Sequence, residues 1–95
     1  MKKYILFLIF CITTTIAFSQ NTVTGVVLDN DNIPIPSAEV KIKDTTIGAV
    51  TDFDGNFTLT GIEMNQVIQV SYVGFKTAEV VYTGQDSLTI VLEIS

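Results

Sequence analysis

From Val23 onward, apolar and polar residues alternate in short runs broken by turn residues. Side chains of a β-strand point alternately to opposite faces, so a period of two marks a strand with one buried face. No stretch of useful length carries helical spacing. The first strand is predicted over Val23–Leu28, followed by the turn cluster Asp29-Asn30-Asp31-Asn32. Ile33-Pro34-Ile35-Pro36 must be extended, and its prolines cannot donate to a ladder, so it is an edge or a connector. Ala38, Val40 and Ile42 alternate with Glu39, Lys41 and Lys43 as a two-faced strand. Asp44-Thr45-Thr46 turns the chain into Ile47–Thr51. Asp54-Gly55 predicts a hairpin, with Phe57–Thr60 returning from it. Gly61–Gln66 reads as a loop, Ile68–Tyr72 as a strand and Gly74 as a turn or bulge. Strands around Thr77–Tyr82 and Leu88–Glu93 flank a turn at Thr83–Asp86. About seven short strands at this spacing predict one antiparallel β-sandwich.

The first residues differ in kind. Lys2 and Lys3 precede an unbroken apolar run, Tyr4–Ile12, and Ala17-Phe18-Ser19 places small residues at the spacing a signal peptidase reads. Residues 1–19 are therefore expected to be a signal peptide, with a single domain over 20–95. The apolar run is short for a bilayer span and threonines follow it, so no membrane span is expected after cleavage. Cys11 lies inside the run behind the bulky Phe10, which argues against lipidation there. Without another cysteine, no disulfide framework is available. A domain this small then stands on its core alone.

Charge narrows the partners. All ten acids lie from Asp29 onward, opposed there only by Lys41, Lys43 and Lys76, a net charge of −7. That balance argues against nucleic acid and against a basic membrane-surface patch. The acids are scattered, as on a solvated surface.

Inventory narrows the chemistry. The chain has no histidine, arginine or tryptophan, so a Ser-His-Asp triad and a Cys-His pair are both excluded. A zinc site of nitrogen and sulfur ligands is excluded as well. No GxGxxG or P-loop pattern occurs. The reading is a non-enzyme without a cofactor. Asp52, Asp54 and Asn56 place oxygens at alternate positions around Gly55, a pattern that suits calcium. The glycine comes too early for an EF-hand loop, and the preferred reading is a turn in which Asp52 bonds a backbone amide. Tyr72 and Phe75 flank Gly74 and are the candidate contact residues for a glycan or a protein. The preferred reading puts Tyr72 on the core face with Val70 and Phe75 as a cap on one end.

Several landmarks fall in a definite order. They are Val23-x-Gly25-x-Val27-x-Asp29, Pro34, Ala38-x-Val40, Gly48-x-Val50-Thr51-Asp52-x-Asp54-Gly55-x-Phe57, and Ser71-Tyr72-Val73-Gly74-Phe75 with Thr77. This pattern resembles the carboxypeptidase regulatory-like domain over nearly all of 20–95. The resemblance implies an all-β, transthyretin-like (prealbumin-like) sandwich of about seven strands. Such domains are common in Bacteroidetes, especially as N-terminal periplasmic extensions of TonB-dependent outer-membrane receptors. It therefore implies an exported accessory module, in the periplasm, at the outer membrane or secreted, whose partner is an envelope protein. The accessory domain is implied, not the zinc-bearing catalytic domain of carboxypeptidases. The alternatives are a glycan- or calcium-binding module and a remnant of a receptor gene. Three positions depart from the family's pattern: Asn32 and Ser37 stand where glycine is usual, and Lys43-Asp44-Thr45 replaces Lys-Gly-Thr.

Overall fold

The computed structural model describes residues 21–95. The expected signal peptide, including Cys11, lies outside the described residues. Seven strands follow in order: β1 (Asn21–Leu28), β2 (Glu39–Ile42), β3 (Gly48–Val50), β4 (Asn56–Ile62), β5 (Val67–Ser71), β6 (Ala78–Val81) and β7 (Ser87–Val91). They form two sheets, β4-β1-β7 and β3-β2-β5-β6. The all-β sandwich expected from the alternation is the fold observed.

The inward residues of each strand make the core. Val23 and Val27 of β1, Val40 and Ile42 of β2, Phe57 and Leu59 of β4, Ile68 and Val70 of β5, and Ile90 of β7 are all buried, joined by Tyr82 and Leu92. Their neighbours along the strands face outward, as a period of two requires. Gly25 has a steric role on β1. It pairs with Phe57 across β4, and a Cβ there would sit 2.5 Å from the Phe57 ring and 2.7 Å from the Leu88 carbonyl oxygen. Only a residue without a side chain lets the ring close over the strand.

Three features differ from the sequence reading. First, β1 and β7 run parallel, whereas the other strand pairs are antiparallel. Alternation along a strand is the same for either direction, so the pattern could not distinguish them. Second, the Asp54-Gly55 turn does not join two paired strands. β3 pairs with β2 and β4 with β1, so the turn is a corner between the sheets. Third, Gly61 lies inside β4 rather than in a loop. The β1–β4 register slips between Asn21 and Thr22, and Gly61, at φ +89°, is the extra residue of a bulge.

The corner is built twice. Asp52 Oδ1 accepts from the amides of Asp54 and Asn56, both at 2.9 Å. Asp29 Oδ1 accepts from the amides of Asp31 and Ile33, at 2.8 and 3.0 Å. In each turn the aspartate's own amide bonds the carbonyl four residues on, Asp52 to Asn56 and Asp29 to Ile33. In each, the residue three places on has positive φ: Gly55 at 76° and Asn32 at 63°. The two turns meet β1, where the Val27 amide donates to the Gly55 carbonyl and the Val27 carbonyl accepts from Ile35. The expectation that Asp52 bonds backbone amides therefore holds.

Thr51 is the buried polar side chain that closes this region. Its hydroxyl donates to the Ile35 carbonyl at 2.6 Å and accepts from the Ala38 amide at 2.8 Å. It thereby satisfies two backbone groups in a stretch that the prolines keep out of the ladder.

The residues that depart from the resembled pattern fall on one backbone feature. Asn32, Ser37 and Asp44 have φ of 63°, 62° and 64°. This left-handed region is open to glycine, tolerated by Asn and Asp, and costly for other residues. Ser37 bears the greatest strain of the three. Ser37→Gly is expected to stabilise the domain by about 0.5–1 kcal/mol after the added freedom of the unfolded chain is deducted, read as a higher urea midpoint. Asp52→Ala should destabilise it by about 1 kcal/mol, because two amides lose their acceptor. Titrations with added calcium and with chelator should give the same loss, since the carboxylate serves the turn.

Candidate contact surface

Of the candidate contact residues, Phe75 is partly buried and packs against the core. Its amide donates to the Tyr72 carbonyl, and it bridges to Ile94. The end-cap reading of Phe75 describes this arrangement. Tyr72 departs from the core-face reading. It continues the alternation of Ile68 and Val70, but β5 has ended at Ser71, and its side chain is 38% exposed. The two rings meet at a centroid separation of 6.1 Å, tilted by 48°. Phe75 thus braces Tyr72 from the inside.

Two more exposed residues belong to the same end. Phe53 is 94% exposed at the tip of the Asp52 turn, and Val73 is 91% exposed beside Gly74. Val50, on β3, adds a third. Their placement follows from the register: Glu39 of β2 lies opposite Val50 on one side and opposite Ser71 on the other. Ser37 sits between the two tips. It lines a depression of about 400 Å³ with Glu39, Ser71, Tyr72 and Val73. It also lines a second one with Pro36, Thr51, Asp52 and Phe53. The result is an apolar rim, Phe53–Val50–Tyr72–Val73, set around Glu39 and Ser37. Polar surroundings of this kind with protruding apolar side chains suit contact with another protein.

The sequence singled out Tyr72 and Phe75 but not Phe53 and Val73. Phe53 had a legible signal, an aromatic residue inside the polar turn Asp52-Phe53-Asp54-Gly55. Val73 had none, because a valine next to Tyr72 reads as strand.

Asp52, Asp54 and Asn56 come together only as members of the turn described above. Among the described residues, no three His, Cys, Asp or Glu side chains converge as a metal site. Beside the rim, β3 is an edge strand, paired only with β2. Alternate residues of such a strand turn their amides and carbonyls away from the sheet. Among the described residues, no helix is long and apolar enough to cross a membrane.

Comparison with known proteins places the fold in context. The profile of the CarboxypepD_reg-like domain matches residues 23–95. The TonB-dependent receptor SusC of Bacteroides thetaiotaomicron is 41% identical over 87 residues, covering 90% of this chain and 9% of the receptor. TonB-dependent receptor P39 of Formosa agariphila is 44% identical over 62 residues, covering 65% of this chain and 6% of the receptor. The chain thus spans less than a tenth of the length of either receptor. Among solved structures, a chain of the type II cohesin–X–dockerin complex of Acetivibrio cellulolyticus, an N-terminal interface mutant, superposes with a TM-score of 0.64 at 23% identity. That match covers 78% of this chain and 58% of the other, and it shows the shared sandwich fold. The profile match runs from the first buried valine of β1 through β7 to Ser95, and this chain belongs to the carboxypeptidase regulatory-like (CarboxypepD_reg-like) domain family.

Proposed function

We propose that this chain is an exported, non-catalytic contact module of the cell envelope, acting at the outer membrane by binding another protein. The observation that carries this reading is the 41% identity to a TonB-dependent receptor over 90% of the chain. A domain so close to a segment of receptors is read as serving the same compartment. The residue inventory, without histidine or arginine, supports a role in contact over a role in chemistry. The rim of Phe53, Val50, Tyr72 and Val73 supplies the contact surface, and the β3 edge beside it offers backbone groups for strand addition. Aromatic side chains that become buried at an interface are frequent centres of binding energy, and the aliphatic contacts around them exclude water.

The test uses a photo-crosslinking residue placed at Phe53 or at Val73, with Met64 as the control. Met64 is exposed and precedes β5, whereas Val73 follows it, so the two lie at opposite ends of that strand. Crosslinking in the native envelope should join positions 53 and 73 to the same outer-membrane protein and leave position 64 unjoined. The double variant Phe53→Ser, Val73→Ser should reduce recovery of that protein at least about tenfold, as the loss of two apolar anchors implies. Equal recovery with the double variant, or the same products from position 64, would remove this surface from the proposal.

A further inference from the structure

The first and last strands of the domain lie side by side and run in the same direction. β1 and β7 pair parallel over Thr24↔Ser87, Gly25↔Leu88, Val26↔Thr89, Val27↔Ile90 and Leu28↔Val91. The ladder is extended at both ends. The Thr24 amide donates to the Asp86 carbonyl at 3.1 Å, and the Leu92 amide donates to the Leu28 carbonyl at 2.8 Å. We infer that this pair is a mechanical clamp, and that the domain is built to carry tension between its two ends without unfolding.

The direction of the strands is the reason. The chain leaves β1 backward from Asn21 and leaves β7 forward from Val91. Tension between Asn21 and Ser95 therefore pulls two parallel strands in opposite senses along their common axis. The rungs are loaded in shear, share the force, and must fail together. If the same two strands were pulled from the same end, the rungs would open one at a time.

The neighbours of the pair reinforce it. β1 is the central strand of its sheet, so sliding it out also breaks the antiparallel ladder to β4, from Thr22↔Thr60 to Val26↔Asn56. Val23 and Val27 on β1, Ile90 on β7 and Leu92 just beyond it are buried, so sliding would drag apolar side chains through a packed core. Beyond β7, the last residues have their own hold. The Lys76 amide donates to the Glu93 carbonyl at 2.7 Å, and the Ser95 amide donates to the Gly74 carbonyl at 3.1 Å. In a chain tethered at both ends, such a domain passes tension on as a folded unit.

Single-molecule pulling on the full chain tests this directly. Cys11→Ser removes the native thiol, and paired cysteines then set the pulling axis. Asn21→Cys with Ser95→Cys loads the clamp in shear. Asn21→Cys with Asp86→Cys attaches both handles at the same end of the pair and opens it rung by rung. Asp86 contributes only its main-chain carbonyl to the ladder, which the substitution keeps. If Asp86→Cys does not fold, Thr83→Cys in the same turn replaces it. Urea unfolding of both proteins first establishes equal stability, so a difference in force reports the unfolding barrier along each axis. The expected result is an unfolding force several-fold higher for the 21/95 axis at the same pulling speed. Equal or lower force along that axis overturns the inference.

Discussion

The whole structure hangs on β1. It is the one strand of its sheet with a partner on each side, β4 antiparallel and β7 parallel. Without it, those two strands have no common partner and the sheet does not exist. It also anchors both aspartate turns through the amide and carbonyl of Val27. Its two inward valines, Val23 and Val27, are fully buried. The glycine between them lets Phe57 close over the backbone. A chain with no disulfide in this region has little else to restrain it, so backbone pairing and burial at one strand carry a large share of the cooperativity.

The turns show how a family pattern encodes geometry. The glycines expected at positions 32, 37 and 44 mark left-handed backbone, and the structure keeps that backbone with Asn, Ser and Asp in their place. Asn32 and Asp44 tolerate the conformation through short polar side chains. Ser37 is held by its surroundings: its amide donates to the Thr51 carbonyl, while the Thr51 hydroxyl fixes the residues on either side. Ser37 also lies between Phe53 and Val73, lining a depression with each.

Strand positions were legible in the sequence because the apolar period of two survives in every strand long enough to show it. β1, β2, β4 and β5 are read off Val23/Val27, Val40/Ile42, Phe57/Leu59 and Ile68/Val70 almost residue by residue. Which strand pairs with which was not legible. Asp54-Gly55 has the chemistry of a hairpin turn, yet the bonds that follow it go to β1 and not to β3. Local turn chemistry sets only a reversal of the chain, whereas partner choice is set by the sheets that must be closed. The same limit hid the parallel pair. Of the rim, Tyr72 stood out as an aromatic near glycine and Phe53 carried a signal as an aromatic inside a polar turn, whereas Val50 and Val73 read as strand and are exposed because of where the β3 edge and the Gly74 turn place them.

The proposed contact rim and the proposed clamp fall on different parts of the sandwich. The rim draws on β3, the end of β5 and the turns beside them, all attached to the four-stranded sheet or leaving it. The parallel pair belongs to the three-stranded sheet. Between them lies one shared core, and a close-packed interior transmits strain from one sheet to the other. A partner held at the rim would thus be held to a body that tension does not shear internally until β1 yields. The division has a cost at the rim, because side chains as exposed as Phe53 and Val73 add nothing to the core. Their replacement should leave the fold intact, which separates a loss of binding from a loss of structure. The converse does not hold for β1, where Gly25, Val23 and Val27 serve pairing and packing at once, and any change there reaches both sheets.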